Sequence, residues 1–184
     1  MLEHWGDQLD LLVRAGTPLI WIRSPEEERV ETLLQQAVTR LGNRRLATWN
    51  FIDGLGGVLN NDGLGARQPM AILQWLQEQE ASQPTLLLLK DFHRFCDDPG
   101  VARMLRNLNS RLRELPHTLV LCTGSWSPPL DLEESLTLLD LPLPREQEIH
   151  DLLQAIAQAS GSPLDREVLE ELTHACSGLS EARV

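Results

Sequence analysis

Apolar residues in this chain fall into two kinds of run, some at helical spacing and some packed without a break, and the two kinds alternate. Residues 2–15 place Leu2, Trp5, Leu9 and Leu12 on one helical stripe ahead of Gly16. Pro18–Ile22 (PLIWI) has the length and content of a strand. Ser24 then offers an N-cap, Pro25 a first helical residue and Glu27 a capping-box partner. Val30, Leu33, Leu34, Ala37, Val38 and Leu41 recur at helical period up to Gly42. Leu46–Ile52 predicts the second strand, and Pro69–Glu80 a helix with Met70, Leu73 and Leu76 on one face. TLLLL at 85–89 has no polar alternation, the mark of a strand covered on both faces. A helix over Val101–Leu115 turns Val101, Met104, Leu105, Leu108 and Leu112 inward, and strands follow at 118–122 and 136–141.

Five strands separated by helices or loops predict an α/β fold, a mostly parallel sheet with helices on both faces. Residues 54–65 hold five glycines and no period, which predicts a poorly ordered loop. After Pro144 the pattern changes to two amphipathic helices, about 146–159 and 165–176, joined through SGSP. Ser180 reads as the N-cap of another helix, so the chain is expected to continue past Val184.

Composition narrows the function. The 184 residues are 42% apolar, enough for a core without metal or disulfide staples. The formal net charge of −11 argues against a nucleic-acid binder and against an anionic membrane surface. Cys96, Cys122 and Cys176 lie far apart, without the pairs of a zinc site or a disulfide frame. The opening MLEHWGDQLD carries acids and no apolar core, so no secretory leader is expected. The longest apolar run falls far short of a membrane span.

This order of elements, ending in GLS, resembles a module of the AAA+ ATPase superfamily. PTLLLLKDFHRF sits where such modules carry the Walker B strand. LVLCTG resembles the strand ending in the sensor-1 residue, here Thr123, and LPLPREQEIHDLL with LTHACSGLSEA resembles the helical lid. TPLIWIRSPEEERVE, ATWNFIDG, LLKDFHRFCDDP and LRNL resemble, more narrowly, the N-terminal half of an AAA-domain family found in cyanobacteria and encoded in some plastid genomes. That resemblance implies a degenerate core over 1–142, with a five-stranded parallel P-loop-type sheet in the order 5-1-4-3-2, and a small all-α lid over 143–184. It also implies a second, C-terminal half that binds ATP and Mg²⁺, a homo-oligomeric ring of which a hexamer is one size, and a cytoplasmic setting, cyanobacterial cytosol or plastid stroma.

The residues argue against hydrolysis in this segment. A P-loop needs glycines to close backbone N–H groups around phosphate, and a lysine for charge. The equivalent place reads RSPEEERV: Arg29 stands for the lysine, no glycine is present, and Glu26, Glu27 and Glu28 crowd a helix start that would otherwise attract phosphate. In the alignment that keeps Pro84, Lys90 takes the magnesium-aspartate position and Asp91 the glutamate position. Between Arg113 and Arg145 there is no Lys or Arg to serve as an arginine finger. Arg29, Lys90, Asp91 and Thr123 are therefore degenerate nucleotide-site positions, with no catalytic residue, bound cofactor or metal expected.

Arg103, Arg106 and Arg113 fall near one stripe of their helix and are candidates for contact with an acidic partner or a neighbouring subunit; a solvated helix face is the plainer alternative. Asp97-Asp98-Pro99 reads as a turn rather than a metal site. The expected function is a non-catalytic platform for assembly or regulation in a larger ATPase. A non-standard nucleotide sensor and a protein-interaction adaptor without ring formation are the alternatives.

Overall fold

The computed structural model describes residues 2–57, 67–180 and 183–184, and the chain divides into two units, Met1–Leu141 and Pro142–Val184. The first unit runs α1 (Leu2–Arg14), β1 (Leu19–Arg23), α2 (Glu27–Leu41), β2 (Arg45–Asn50), β3 (Gly54–Gly57), α3 (Pro69–Gln77), β4 (Thr85–Lys90), α4 (Pro99–Arg111), β5 (Thr118–Thr123), α5 (Leu130–Glu133) and β6 (Thr137–Asp140). Short 3-10 turns cover Phe92–Phe95 and Leu112–Glu114.

The sheet is mixed and six-stranded, in the order β3-β2-β4-β5-β1-β6. β2, β4, β5, β1 and β6 pair in parallel, whereas β3 runs antiparallel to β2. This corrects the expectation of five strands, all parallel. The added strand comes from the glycine-rich stretch, expected to be disordered. Asn50 Oδ1 accepts the N–H groups of Ile52 (2.9 Å) and Asp53 (2.8 Å). Gly54, at φ 76°, then closes a three-residue hairpin loop in a conformation that side chains disfavour. Leu55 gives β3 its anchor, buried in register with Trp49. The rest of the expected loop, 58–65, lies outside the described residues.

Alternation along the strands builds two cores. Leu19, Trp21, Leu87, Leu89, Leu119 and Leu121 face α3 and α4, meeting Ile72, Leu73, Leu105 and Leu108. Ile20, Ile22, Leu86, Leu88, Val120 and Cys122 face α1 and α2, meeting Leu9, Val13, Val30 and Leu34. A strand that feeds both cores reads as an unbroken apolar run because neither of its faces meets water. On α1 the buried stripe is Trp5, Leu9 and Val13, with Leu12 partly buried at its edge. α2 begins at Glu27, so Ser24 does not form the expected capping box; its hydroxyl accepts from Glu26 N–H (3.1 Å) in a turn before the helix.

The second unit consists of α6 (Glu146–Ala159) and α7 (Arg166–Ala175), whose seam holds Ile149, Leu153 and Leu169. Of the helix expected from Ser180, residues 181 and 182 lie outside the described residues.

At the N-terminal edge of the sheet a polar lock ties β2, β4 and β5 together. Thr85 N–H donates to His117 Nδ1 (3.2 Å), which leaves His117 Nε2 to donate to the Gln79 carbonyl (3.2 Å). Arg45 donates to Thr85 Oγ1, Gln83 and Gln79. Burial lowers the His117 pKa, and Arg45 and Arg44 lower it further against the opposing bond to Gln79. The unfolded chain then takes up the proton first, so stability rises with pH and is lost on acidification below about 6.5. The urea midpoint of wild type is expected to fall between pH 7.5 and 5.5. In His117→Gln the same interval should show a shallower fall, because that proton no longer distinguishes folded from unfolded chain.

Candidate functional site

In open α/β sheets ligands gather outside the carboxyl ends of the strands, and three strand ends converge here. β1 ends at Arg23, and the next residue docks on β5: Ser24 N–H donates to the Thr123 carbonyl (3.0 Å), and Cys122 Sγ donates to the Ser24 carbonyl (3.6 Å). A Cβ on Gly124 would come within 3.2 Å of Pro25 Cβ, so the turn after β1 lies close against the chain leaving β5. Thr123 is buried at this junction, beside β4, where Lys90 is in register with Cys122.

Arg29 does not stand free for phosphate. Its guanidinium donates to Glu26 Oε2 at 2.8 Å, and both side chains are more than nine-tenths buried. The pair spans three residues, adjacent on one helical face. Lys90 reaches α2 as well, with Nζ 2.6 Å from Glu31 Oε2. Its ion pair is therefore with Glu31, not with neighbouring Asp91.

Asp91 takes φ 55°, the one non-glycine residue in the left-handed region among the described residues, and its side chain is exposed. It leads into the 3-10 turn, where His93 Nδ1 lies 3.9 Å from Asp91 Oδ1, beyond hydrogen-bond reach. Burial lowers the His93 pKa, helped by Arg94 and opposed by Asp91. Glu27 is raised, first by burial, then by the negative charge of Asp91, with Lys90 opposing. Carboxylates thus cluster at the start of α2, with Glu26 paired to Arg29 and Glu27 close enough to Asp91 to feel its charge.

Aromatic side chains close the other side of the sheet. Trp21 and Trp126 meet edge to face at 5.3 Å, and His93 lies 6.3 Å from Trp126. Burial pushes the Cys122 thiol up to about 12, which removes it as a nucleophile. Among the described residues no group of three or more His, Cys, Asp or Glu side chains is arranged to hold a metal ion.

The structure therefore gathers Lys90, Asp91 and Thr123 at neighbouring strand ends and places Arg29 on α2. Arg103, Arg106 and Arg113 belong to α4 and the turn after it, across the sheet. Arg106 is engaged by Asp131, whereas Arg103 and Arg113 are exposed. Two partners escaped the sequence reading, Glu26 for Arg29 and Glu31 for Lys90. The first was visible as an i, i+3 pair; the second needed the packing of α2 on β4.

Residues 5–141 match the family model described as SpoVK-like AAA ATPase, N-terminal domain. The chain belongs to this family. Relatives of this AAA domain include an uncharacterized AAA domain-containing protein ycf46 from Trieres chinensis, 34% identical over 180 residues, covering 98% of this chain and 36% of the relative. Another, of the same description, from Guillardia theta is 37% identical over 174 residues, covering 95% and 34%. The chain thus spans about a third of these relatives' length. Among solved structures, C. elegans PCH-2 superposes with a TM-score of 0.65 at 12% identity, covering 96% of this chain and 59% of that one. A chain of the E. coli MS115-1 HORMA:CdnC:Trip13 complex gives 0.58 at 16%, covering 94% and 66%. At these identities the AAA domain shares their fold. Among the described residues, no helix is long and apolar enough to cross a membrane.

The buried Glu26–Arg29 pair yields a direct test. Removing one member of a buried pair costs about 3 kcal/mol, whereas replacing both by apolar side chains of similar volume is close to neutral. Urea unfolding of Arg29→Met should show a loss of about that size. Adding Glu26→Met to Arg29→Met should recover most of it.

Proposed function

We propose that this AAA domain works without nucleotide, as an assembly or regulatory platform within a larger AAA protein. The observation that carries this reading is the buried Glu26–Arg29 ion pair at the start of α2. The family's phosphate position needs open backbone N–H groups and a free cation. Here the corresponding cation is spent on Glu26, the third residue after β1, and the strand-end cation Lys90 is spent on Glu31. Partially buried Glu27 adds further negative charge, and charges about 4 Å apart repel by about 4 kcal/mol at an effective dielectric of 20.

In this reading the catalytic machinery, with ATP and Mg²⁺, belongs to a C-terminal half of the same polypeptide, consistent with relatives about three times as long. The domain adds contacts in a homo-oligomeric ring, for which a hexamer is one size, in the cytosol of a cyanobacterium or the stroma of a plastid. Arg103 and Arg113 are its partner-facing residues. The acidic balance of the chain supports a protein partner over nucleic acid.

Titration calorimetry of this chain with ATP and Mg²⁺ should show no binding tighter than about 1 mM. Saturable micromolar binding would replace this reading with that of a nucleotide sensor. Lys90→Asp with Asp91→Glu should still release no phosphate, because offering magnesium a carboxylate does not open the helix start. Grafting GxxxxGKT over residues 23–30 in addition should permit binding but only slow turnover, since a missing arginine finger is worth about 10³–10⁵ in rate.

A further inference from the structure

β6 is the last strand on its side of the sheet, and among the described residues it pairs with β1 alone. Leu141 N–H donates to the Arg23 carbonyl (3.3 Å), so by alternation the backbone groups of Thr137 and Leu139 also turn toward β1. Those of Leu138 and Asp140 turn outward, where no described strand lies to pair with them. Edge strands are commonly guarded by a proline, an unpaired charge or a covering element. Neither proline nor lysine stands within β6, and its one charged residue, Asp140, is met by Arg23 Nε at 2.5 Å. Its remaining guard is its length of four residues.

The surface beside this edge is apolar and acidic. Leu138 is in register with the buried Trp21 and shares its face, yet is 44% exposed. α5 sends Leu132 into the core on that same face and leaves Leu130 86% exposed. Between Arg113 and Arg145 the chain holds five carboxylates, Glu114, Asp131, Glu133, Glu134 and Asp140, and no Lys or Arg. Arg106 engages Asp131, Arg23 engages Asp140, and Arg111 lies 3.5 Å from Glu114. Glu133 and Glu134, just ahead of β6, are exposed and have no ion pair among the described residues. Acidic side chains next to an apolar open edge select a basic strand.

We infer that β6 is a docking edge for an extended segment of a partner protein in which apolar and basic residues alternate. Backbone hydrogen bonds to Leu138 and Asp140 hold the segment, and one of its apolar side chains covers Leu138. Its Lys or Arg side chains meet Glu133 and Glu134. The inference stands apart from the platform reading, because an open edge does not depend on whether nucleotide binds. So short a strand gives few hydrogen bonds, and the contact is weak and reversible.

Fluorescence anisotropy of a labelled short peptide alternating valine and lysine tests this on the chain itself. Wild type should bind it saturably, with a Kd of about 100 μM or tighter. Leu138→Lys, which puts a like charge on the edge, should weaken binding by about tenfold or more. Leu11→Lys makes the same change at a leucine 67% exposed on α1 and should bind as wild type does. Glu133→Lys with Glu134→Lys should lose the lysine peptide and gain its valine–glutamate counterpart, a gain that also demonstrates that the double variant is folded. The lysine peptide methylated on its backbone nitrogens should bind about tenfold more weakly, because strand pairing uses those donors. Hydrogen exchange at the Leu138 and Asp140 amides should slow when the unmethylated peptide is bound. The docking edge is overturned by absence of saturable binding to wild type, by Leu138→Lys or the methylated peptide binding undiminished, by an unswitched peptide preference, or by unchanged exchange at those two amides. None of these outcomes bears on nucleotide binding, which the calorimetric titration reads separately.

Discussion

Everything in the larger unit depends on β4 having no face in water. Leu86, Leu87, Leu88 and Leu89 are each fully buried, alternately toward α2 and toward α4. Burying a leucine side chain stabilises by about 1.5–3 kcal/mol relative to exposure, so this strand supplies much of the drive to assemble both layers at once. It also leaves the chain no freedom of register. A slip of one residue would exchange the two cores and bring Lys90 into one of them. The polar residues that bracket the strand, Thr85 in its lock with His117 and Lys90 in its pair with Glu31, mark where the apolar layer stops.

That constraint decides what the carboxyl edge can hold. In parallel sheets of this kind the strand ends are open because the connecting loops splay apart. Here the connection after β1 is pulled down onto β5 by the Ser24–Thr123 bond, and α2 starts with its own buried ion pair. The Lys90–Glu31 pair is partly exposed and contributes about 1 kcal/mol at most. Its larger effect is positional, since it draws the end of β4 toward α2 rather than toward a bound ion. Backbone, buried charge and surface charge thus all act at this edge.

The strands that feed two cores were the easiest elements to read, because an unbroken run such as TLLLL has few other uses. β3 was missed because four residues with three glycines carry almost no propensity; pairing came from the turn, whose Asn50 and Asp53-Gly54 were in plain view. At the site, the missing glycines and the misplaced lysine were legible as absences. What filled the gap was not: Glu26 sits at helical spacing from Arg29, yet nothing in a sequence says that the pair is buried rather than solvated. Glu31 lies 59 positions from Lys90, and only the packing of α2 across β4 brings them together.

Electrostatics then separates the two faces of this AAA domain by different means. On the α2 face three cations are neutralised in place: Arg29 by Glu26, Lys90 by Glu31, Arg40 by Asp10. On the α4 face Arg103 and Arg113 are left without such neutralisation among the described residues, against a strongly negative remainder. A solvated arginine costs the fold almost nothing, so stability alone does not dictate its sign or place. Four arginines in fifteen residues with no carboxylate among them are therefore a local basic stretch that the fold beneath it does not require. On one face cations are met by carboxylates in place, and on the other Arg103 and Arg113 stand exposed with no ion pair among the described residues.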